Sequence, residues 1–480
     1  MKHRKRINPI GVGRIACTVL LVYVGLVIAF YFLAGEQLQL RASRGDITLP
    51  VAEAAAPETA QGVMIEQRFS VEIQRLESVS VQWGTFYRSN AGTVTMELWN
   101  GETRLMAQSF DAAAITEGGL TTLTAETPIE GLYGVPLLLR LYADSAPGSA
   151  AAPLLTVSGA EEGFALTVNG APADGMLCFA AQGEDYIWTG LHYWEFAAGG
   201  ALLLLAALGV VWWKQRTGRR SYVINAVTAV GKYRFLIRQL VSRDFKTKYK
   251  RSVLGVLWSF LNPLLTMCVQ YIVFSTIFKS DIDKFPAYLI IGTVAFNFFS
   301  EACGMSLTSV LGNASLITKV YMPKYIYPLT RTMSSGVNLL ISLIPMLLVC
   351  LFTGVQFQKS AILALLFFIC LFIFSLGLGM VLATSMVFFR DTQFLWNVLN
   401  MIWMYLTPIF YPETILPDNL RFVLQLNPLY HFIQNIRMCV VGGVSPEPVA
   451  YVQCFLIALA MLLVGSFVFK KAQDRFVLYL

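Results

Sequence analysis

Cationic side chains crowd the stretch from Arg243 to Pro263, RDFKTKYKRSVLGVLWSFLNP, immediately before an apolar run. These cations are Arg243, Lys246, Lys248, Lys250 and Arg251. Because ammonium and guanidinium groups pair strongly with phosphate oxygens, the cluster could bind a phosphate-bearing head group at a membrane surface. Attraction to anionic lipid, worth about 1 kcal/mol per cation, is the better explanation for any single one of them, so the entry site is assigned to the cluster rather than to its members. The pattern predicts an interfacial helix that leads into a transmembrane helix, with the cluster at its entrance.

A second candidate is the carboxyl group of Glu301, which lies inside an apolar segment. An ionised side chain there costs about 2.5 to 3.5 kcal/mol on insertion scales, so it is expected to face the bundle interior, a partner or a cavity. A gate or dimer-interface role competes with a simple hydrogen bond inside the bundle.

Several aromatic side chains could stack on sugar rings, although packing in a core or anchoring at an interface is their commoner role. The candidates for a membrane conduit or gate are Tyr271, Phe299 and Tyr405, together with Glu301. The candidates for an external sugar contact are Trp83, Tyr87 and Trp99.

The residues of common catalytic and metal sites are scattered. The three histidines, His3, His192 and His431, are far apart in sequence, and the eight cysteines form no CxxC pair. No GxxxxGK[ST] motif occurs, so the chain is not expected to hydrolyse ATP alone. The sequence predicts a protein that is not an enzyme and that binds no metal or cofactor itself.

Composition gives the class of protein. Of the 480 residues, 56% are hydrophobic and only 14% are charged, with a mean hydropathy of +0.60. These values predict a polytopic α-helical membrane protein. The formal net charge of +7 is attributed to basic residues on the cytoplasmic side rather than to nucleic-acid binding.

The first half of the chain has three predicted segments. Residues 1–34 have a basic start and an apolar run long enough to cross a membrane as an uncleaved anchor. Residues 35–192 show period-two alternation broken by Asn-Gly pairs, which predicts an all-β sandwich. Residues 193–214 form a second span. This acid-rich sandwich is expected outside the cell, because the following linker, residues 215–252, is strongly basic.

Residues 253–480 predict a six-helix block. The apolar segments run over roughly 253–278, 286–311, 331–353, 361–388, 394–411 and 449–469. Together with the two earlier spans they give about eight transmembrane helices, with both termini in the cytoplasm. Repeated prolines predict two short external re-entrant helices at about 412–441.

Six motifs between about residue 235 and residue 480 resemble those of one family and occur in that family's order. They are KYKRSVLGVLWSFLNPLL (248–265), FFSEACGMSLTSVLGNASLITKVYMPKYIYPL (298–329), FFRD (388–391), TPIFYP (407–412), LNPLYHFIQNIR (426–437) and FKKAQDRF (469–476). The block is similar to the permease subunits of type-2 ABC exporters of polysaccharide, which include the O-antigen and wall teichoic acid exporters. Residues 1 to about 220 lie outside the resemblance.

The resemblance implies a homodimer in the cytoplasmic membrane of a bacterium, surrounded by membrane lipid and exporting a lipid-linked glycan. Each permease would rest on a separate ABC ATPase, two copies in all, which would hold ATP and Mg. The loop from Asn313 to Pro328 would be the coupling helix. Its candidate contact residues are Asn313, Leu316, Ile317, Lys319, Tyr321 and Lys324.

Two other functions remain open on the sequence. In one, the chain is a glycan-binding membrane receptor or scaffold, with the sandwich as its active part. In the other, it is an ABC exporter of small hydrophobic molecules.

Overall fold

The computed structural model describes residues 9–43, 47, 49–157, 164–217, 231–250, 254–278, 284–319, 322–413 and 418–479. The chain divides into two compact units. Met1–Leu38 and His192–Leu480 form the first, which we call the membrane unit. Gln39–Leu191 form the second, which we call the β unit.

The helices are α1 Pro9–Ala34, α2 Trp188–Leu191, α3 Tyr193–Arg216, α4 Arg234–Tyr249, α5 Leu257–Phe278, α6 Phe285–Leu307, α7 Ala314–Lys319, α8 Ile326–Phe352, α9 Ala364–Phe388, α10 Thr392–Leu406, α11 Asp418–Leu426, α12 Pro428–Val440, α13 Pro448–Ala472 and α14 Phe476–Tyr479. Within the described residues, seven helices are long and apolar enough to cross a membrane: α1, α3, α5, α6, α8, α9 and α13.

The helix expected over residues 394–411 ends earlier than expected. Helix α10 has 15 residues, which gives a length of about 22 Å. A membrane's hydrocarbon core is about 30 Å thick, so α10 alone does not cross it, and the crossing predicted for residues 394–411 as a whole stays a prediction. The helix ends because Pro408 disfavours the helical conformation in the residue before it, and Thr407 is extended. The two short helices α11 and α12 follow, and their re-entrant placement stays a prediction.

The membrane unit packs around α6 and α9. Helices α9 and α13 approach so closely that a methyl group on Gly465 would overlap the carbonyl group of Gly377. Helices α1 and α3 join this bundle, since the Tyr193 hydroxyl donates to the Val27 carbonyl at 2.7 Å and the Phe30 ring meets Tyr451 edge-on at 4.8 Å. The anchor helices that lie outside the sequence resemblance are therefore packed into the same unit.

The β unit contains two antiparallel sheets. Its strands are β1 Leu40–Ser43, β2 Ala54–Ala55, β3 Met64–Ser70, β4 Arg75–Gly84, β5 Thr93–Asn100, β6 Thr103–Asp111, β7 Leu120–Glu130, β8 Pro136–Ala143, β9 Ala152–Thr156, β10 Ala165–Val168, β11 Ala171–Ala173, β12 Met176–Leu177 and β13 Phe179–Tyr186. One sheet has the order β1-β13-β4-β9-β12, with β2 on β9 and β7 on β4. The other has the order β11-β10-β3-β8-β5-β6.

Alternation along the strands builds the core of the β unit. In β8, Leu137, Leu139 and Leu141 are buried while the residues between them are less so. The Phe69 and Phe179 rings meet edge to face at 4.8 Å inside this core. Helical membrane architecture with an inserted all-β region is therefore confirmed.

Candidate functional site

Helix α4 carries the basic cluster and buries one face. Ile237, Leu240 and Asp244 are its buried residues, and their spacing of three and four positions puts them on one side of the helix. Lys246 and Lys248 lie in the last turn, where cations suit the negative end of the helix dipole. The apolar part of the buried face explains why α4 packs against its neighbours, but Asp244 needs a polar partner.

Asp244 finds that partner on α8. Its carboxylate is only 5% exposed and lies 3.1 Å from Arg331 Nη1 and 3.3 Å from Arg243 Nη2. The Ser334 hydroxyl, also on α8, donates to it at 3.5 Å. A buried carboxylate flanked by two guanidinium groups locks α4 to α8, because removing either charge would leave the others poorly compensated.

Glu301 joins three helices. Lys248 Nζ on α4 lies 2.8 Å from Glu301 Oε1 on α6, and Asn338 Nδ2 on α8 donates to the same oxygen at 2.6 Å. The Tyr249 hydroxyl donates to Asn338 Oδ1 at 3.1 Å and also contacts the Ser259 hydroxyl. The carboxyl group that the sequence placed inside an apolar segment thus reaches the basic end of α4.

A cavity of about 650 Å³ connects these two networks. Its lining residues are Arg243, Asp244, Phe245, Thr247, Lys248, Glu301, Met305, Gly312, Arg331, Ser334 and Asn338. Three cations and two carboxylates face it, so it carries a formal charge of +1. Because each cation already has a carboxylate partner, an anionic ligand would bind here by displacing a carboxylate from a cation.

The predicted entrance residues divide between two environments. All four described members are exposed, but only Arg243 and Lys248 line the cavity, whereas Lys246 and Lys250 do not. Arg251 lies outside the described residues. The structure therefore brings together two members of the predicted entrance cluster and the predicted gate residue Glu301.

The predicted coupling loop lies next to this cavity. Arg243 Nη2 donates to Asn313 Oδ1 at 3.3 Å, and Ile317 is buried in an apolar cluster with Ile237 of α4. Leu316 is half-buried beside that cluster. Burial of Ile317 within the chain does not fit its expected contact with another protein.

The remaining coupling candidates are placed as follows. Lys324 Nζ donates to the Gln473 carbonyl and lies 5.7 Å from the centre of the Phe476 ring, so it is bound by the chain's own C-terminal segment. Lys319 is the last residue of α7, and its side chain is outside what the structure describes. Tyr321 also lies outside the described residues.

The conduit candidates differ in exposure. Tyr271 on α5 and Tyr405 on α10 are exposed, as residues facing lipid, a second subunit or a conduit would be. Phe299 is fully buried, and its ring centre lies 5.2 Å from Trp403 and 6.0 Å from Trp396. Packing in the core does not fit the conduit role predicted for Phe299.

The three candidates for an external sugar contact differ in exposure. Trp83 is fully buried, and its indole nitrogen donates to the Thr121 hydroxyl at 2.6 Å, so it is a core residue and its predicted sugar contact is wrong. Trp99 is half-buried, with the Arg140 guanidinium 5.1 Å from its ring centre. Tyr87 is 91% exposed.

Sequence reasoning assigned no site role to Asp244, Arg331, Asn338 or Arg437. Asp244 had one signal, because it is the only acid among twelve Lys and Arg between residues 214 and 251. Asn338 is a polar residue in the middle of an apolar segment, a weaker signal of the same kind.

Arg437 on α12 is a separate buried centre. Its guanidinium donates to the backbone carbonyls of Pro408 at 2.7 Å, Ile409 at 3.1 Å and Tyr288 at 3.1 Å, and it lies 3.4 Å from the centre of the Tyr288 ring. The Tyr288 hydroxyl also donates to the Pro408 carbonyl at 3.1 Å. These bonds hold α12, the start of α6 and the segment after α10 together. The sequence signal for this centre is the charge of Arg437 within the otherwise largely apolar LNPLYHFIQNIR motif.

No group of three or more His, Cys, Asp or Glu side chains that could hold a metal ion occurs in the part of the chain that the structure describes.

Comparison with known proteins places these residues in a family context. Residues 236–441 match the family model "ABC-2 type transporter". An O-antigen export system permease protein RfbA of Klebsiella pneumoniae is 30% identical over 243 residues, which are 50% of this chain and 93% of that protein. RfbA of Myxococcus xanthus is 28% identical over 256 residues, 53% of this chain and 98% of that protein.

A more distant relative is the polysialic acid transport protein KpsM of Escherichia coli. It is 22% identical over 241 residues, which are 50% of this chain and 93% of that protein. The family match begins within α4 and ends just after α12, so it includes the cavity and Arg437 but not the β unit.

Proposed function

Because the chain belongs to the ABC-2 type transporter family as a membrane-spanning permease, we propose that it is the permease of an ATP-driven exporter of a lipid-linked glycan. The O-antigen and polysialic acid relatives support a glycan as the cargo. Their functions favour this proposal over a receptor or an exporter of small hydrophobic molecules. The proposed location is the cytoplasmic membrane of a bacterium, with both termini in the cytoplasm and the β unit outside.

The observation that carries the proposal is the cationic cavity between α4, α6 and α8. Arg243 and Lys248 are partly exposed within it, and the chain enters the apolar helix α5 shortly after α4. A phosphate or pyrophosphate group of a lipid carrier would replace a carboxylate as the partner of these cations. The lipid tail would remain in the membrane while the head group enters the cavity.

Energy for export is proposed to come from a separate ABC ATPase. A homodimer of this permease would bind two copies of it, and those copies would hold ATP and Mg. Helix α7 is the proposed contact. Ile317 of α7 and Ile237 of α4 are buried in the same apolar cluster, and Asn313, just before α7, bonds to Arg243 at the cavity. Movement imposed on α7 would thus reach the groups that bind the substrate.

The cargo is tested in cells that lack this chain. They are expected to lose surface glycan and to accumulate lipid-linked glycan inside, measured by mass spectrometry of extracted lipids. Complementation with Lys248→Gln is expected to restore export poorly, because the cavity loses a cation. Lys246→Gln is the matched control, since Lys246 lies on the same helix outside the cavity. Unchanged surface glycan in the deletion strain would refute the function.

The coupling contact has its own test. Leu316→Ser is expected to weaken co-purification of the ATPase, because the half-exposed Leu316 would lose apolar contact with it. Ile362→Ser changes an exposed apolar residue in another part of the membrane unit and serves as the control. Equal recovery of the ATPase with both variants would contradict the contact.

A further inference from the structure

The turn after β4 presents two aromatic residues in a strained conformation. Phe86 and Tyr87 both have φ of 56°, in the left-handed region of backbone space. A side chain with a Cβ atom is disfavoured there, and bulky residues adopt it rarely. Such a conformation persists only where the surrounding structure holds it in place.

Glu117 holds the turn from one side. Its Oε2 atom accepts hydrogen bonds from the Thr85 amide at 2.6 Å, the Thr85 hydroxyl at 2.7 Å and the Tyr87 amide at 3.3 Å. These bonds favour the ionised carboxyl group and lower the pKa of Glu117, with the Thr85 hydroxyl as the largest cause.

Arg88 holds the turn from the other side. Its guanidinium lies 5.0 Å from the centre of the Phe86 ring and pairs with Glu58 at 2.6 Å. It also donates to the Ala150 carbonyl at 3.2 Å. Two carboxylates and one guanidinium therefore fix a backbone conformation that the aromatic residues would not adopt alone.

Core packing does not explain this arrangement. The Tyr87 side chain is 91% exposed and Phe86 is 47% exposed. Folding usually orders a large aromatic residue by burying its ring, which gains free energy through loss of contact with water. Here the strain and the polar contacts place the rings in solvent instead, which is the arrangement of a ligand-binding surface.

A cleft is lined by residues before and after Glu117. It has a volume of about 270 Å³, at the end of β6 and the start of β7, and among its lining residues are Phe110, Asp111, Thr116, Leu120 and Thr122. Thr116 directly precedes Glu117, so the loop that holds the aromatic turn also forms a wall of the cleft.

The chemistry of the cleft complements the aromatic turn. The Ala113 amide donates to Asp111 Oδ1 at 2.9 Å, and the described residues place no partner on the other carboxylate oxygen. The Thr121 hydroxyl is bonded to Trp83 and the Thr122 hydroxyl to Ser80, so the Thr116 hydroxyl and this carboxylate are the groups that can exchange hydrogen bonds with a ligand. The Tyr87 ring offers an apolar face. A pyranose ring has both features, an apolar C–H face and a rim of hydroxyl groups.

We infer that the Tyr87 turn and this cleft form a carbohydrate-binding site for pyranose rings of the glycan that the membrane unit exports. The identity of the ligand rests on the proposed function, whereas the ability to bind sugars rests on the geometry of the β unit alone. A protein partner would also use an exposed aromatic residue, but an apolar protein surface would not need the adjoining cleft with the Asp111 carboxylate and the Thr116 hydroxyl.

The test uses the full-length protein in lipid nanodiscs. The probe is a set of oligosaccharides released from the cell's own surface polysaccharide by mild acid, and binding is measured by saturation-transfer difference NMR and titration. Tyr87→Asn removes the ring at a position where asparagine tolerates positive φ. It is expected to weaken binding about five- to tenfold, the range for loss of one aromatic stacking contact.

Tyr133→Asn is the matched control, because Tyr133 is an exposed tyrosine elsewhere on the β unit. Equal sugar binding by wild type and Tyr87→Asn would overturn the site. Loss of a co-purifying protein in Tyr87→Asn without any change in sugar binding would overturn it too. Neither result would affect the proposed export function. A strain without the chain that still exports glycan would overturn the proposed function, but a Tyr87-dependent titration would still support the site.

Discussion

Replacing Arg331 with methionine tests whether the buried ion pair fixes helix α4 in place. In Arg331→Met, the partners that remain to Asp244 among the described residues are Arg243 at 3.3 Å and the Ser334 hydroxyl at 3.5 Å. Removing one partner of a fully buried pair costs about 3 to 5 kcal/mol. Because Arg331 is 22% exposed and Arg243 remains, we expect α4 docking to lose about 2 to 3 kcal/mol.

The assay is amide hydrogen exchange of α4 in the full-length protein in nanodiscs. Local opening controls this exchange, so a loss of 2 to 3 kcal/mol would speed it about 30- to 150-fold. Asp244→Asn combined with Arg331→Met leaves no unpaired buried carboxylate, and we expect it to recover part of the protection. Arg390→Met, at an exposed position after α9, is the control.

Two results would refute this reasoning. Unchanged exchange in α4 of Arg331→Met would show that the pair does not hold the helix. A double variant that loses the sum of the two single effects would show that Asp244 and Arg331 act independently.

Two further predictions concern other parts of the chain. Arg437→Lys keeps the charge but loses the planar fork that donates to three carbonyl groups, so we expect a loss of about 2 to 4 kcal/mol, seen as a lower unfolding temperature in nanodiscs; an unchanged temperature would contradict it. The pKa of Glu117 is lowered, so its stabilisation of the Tyr87 turn is present above the ordinary glutamate pKa of about 4.5 and is lost as pH falls through the lowered value. Exchange at the turn should therefore accelerate in acid beyond its intrinsic pH dependence, and Glu117→Gln should remove that acceleration; a wild-type response in this variant would contradict the link.

Hydrophobic patterning predicts much of the fold because each membrane helix needs a long apolar run, whose side chains are either buried in the protein or face lipid. It fails at residues 394–411, where the apolar run continues past the end of the helix. The conformational preference before Pro408 ends α10, although hydropathy alone does not change there. A hydropathy average over many residues does not detect the effect of one proline on its neighbour. The proline itself can be read directly from the sequence.

Patterning gives less information on which side of an element a residue occupies. Trp83 lies in an alternating segment, and alternation alone does not tell which of its two faces is turned toward the core. Phe299 lies in a helix that is buried over most of its circumference, so its exposure depends on neighbours from α9 and α10. These contacts arise only on tertiary packing.

The candidate site shows the same limit. Lys248 and Glu301 were each predicted to be functional, but for different roles, because they are 53 residues apart in sequence. Their 2.8 Å ion pair depends on the packing of α4 against α6. In the sequence, Asp244 is recognisable as a lone acid in a basic segment and Arg331 as a basic residue. Their pairing depends on how α4 is rotated about its own axis, which the sequence does not show.

That rotation explains why one acid occurs in the basic segment before α5. Asp244 is drawn to Arg331 and turns α4 so that Arg243 and Lys248 line the cavity. The same rotation leaves Lys246 on an exposed part of the helix, where anionic lipid can approach, and Lys250, which follows the helix in an extended conformation, is exposed as well. A helix with cations alone could bind a membrane surface in many orientations. With Asp244 it has one, which separates the cations available to lipid from those held beside Glu301, where we propose that an anionic head group binds.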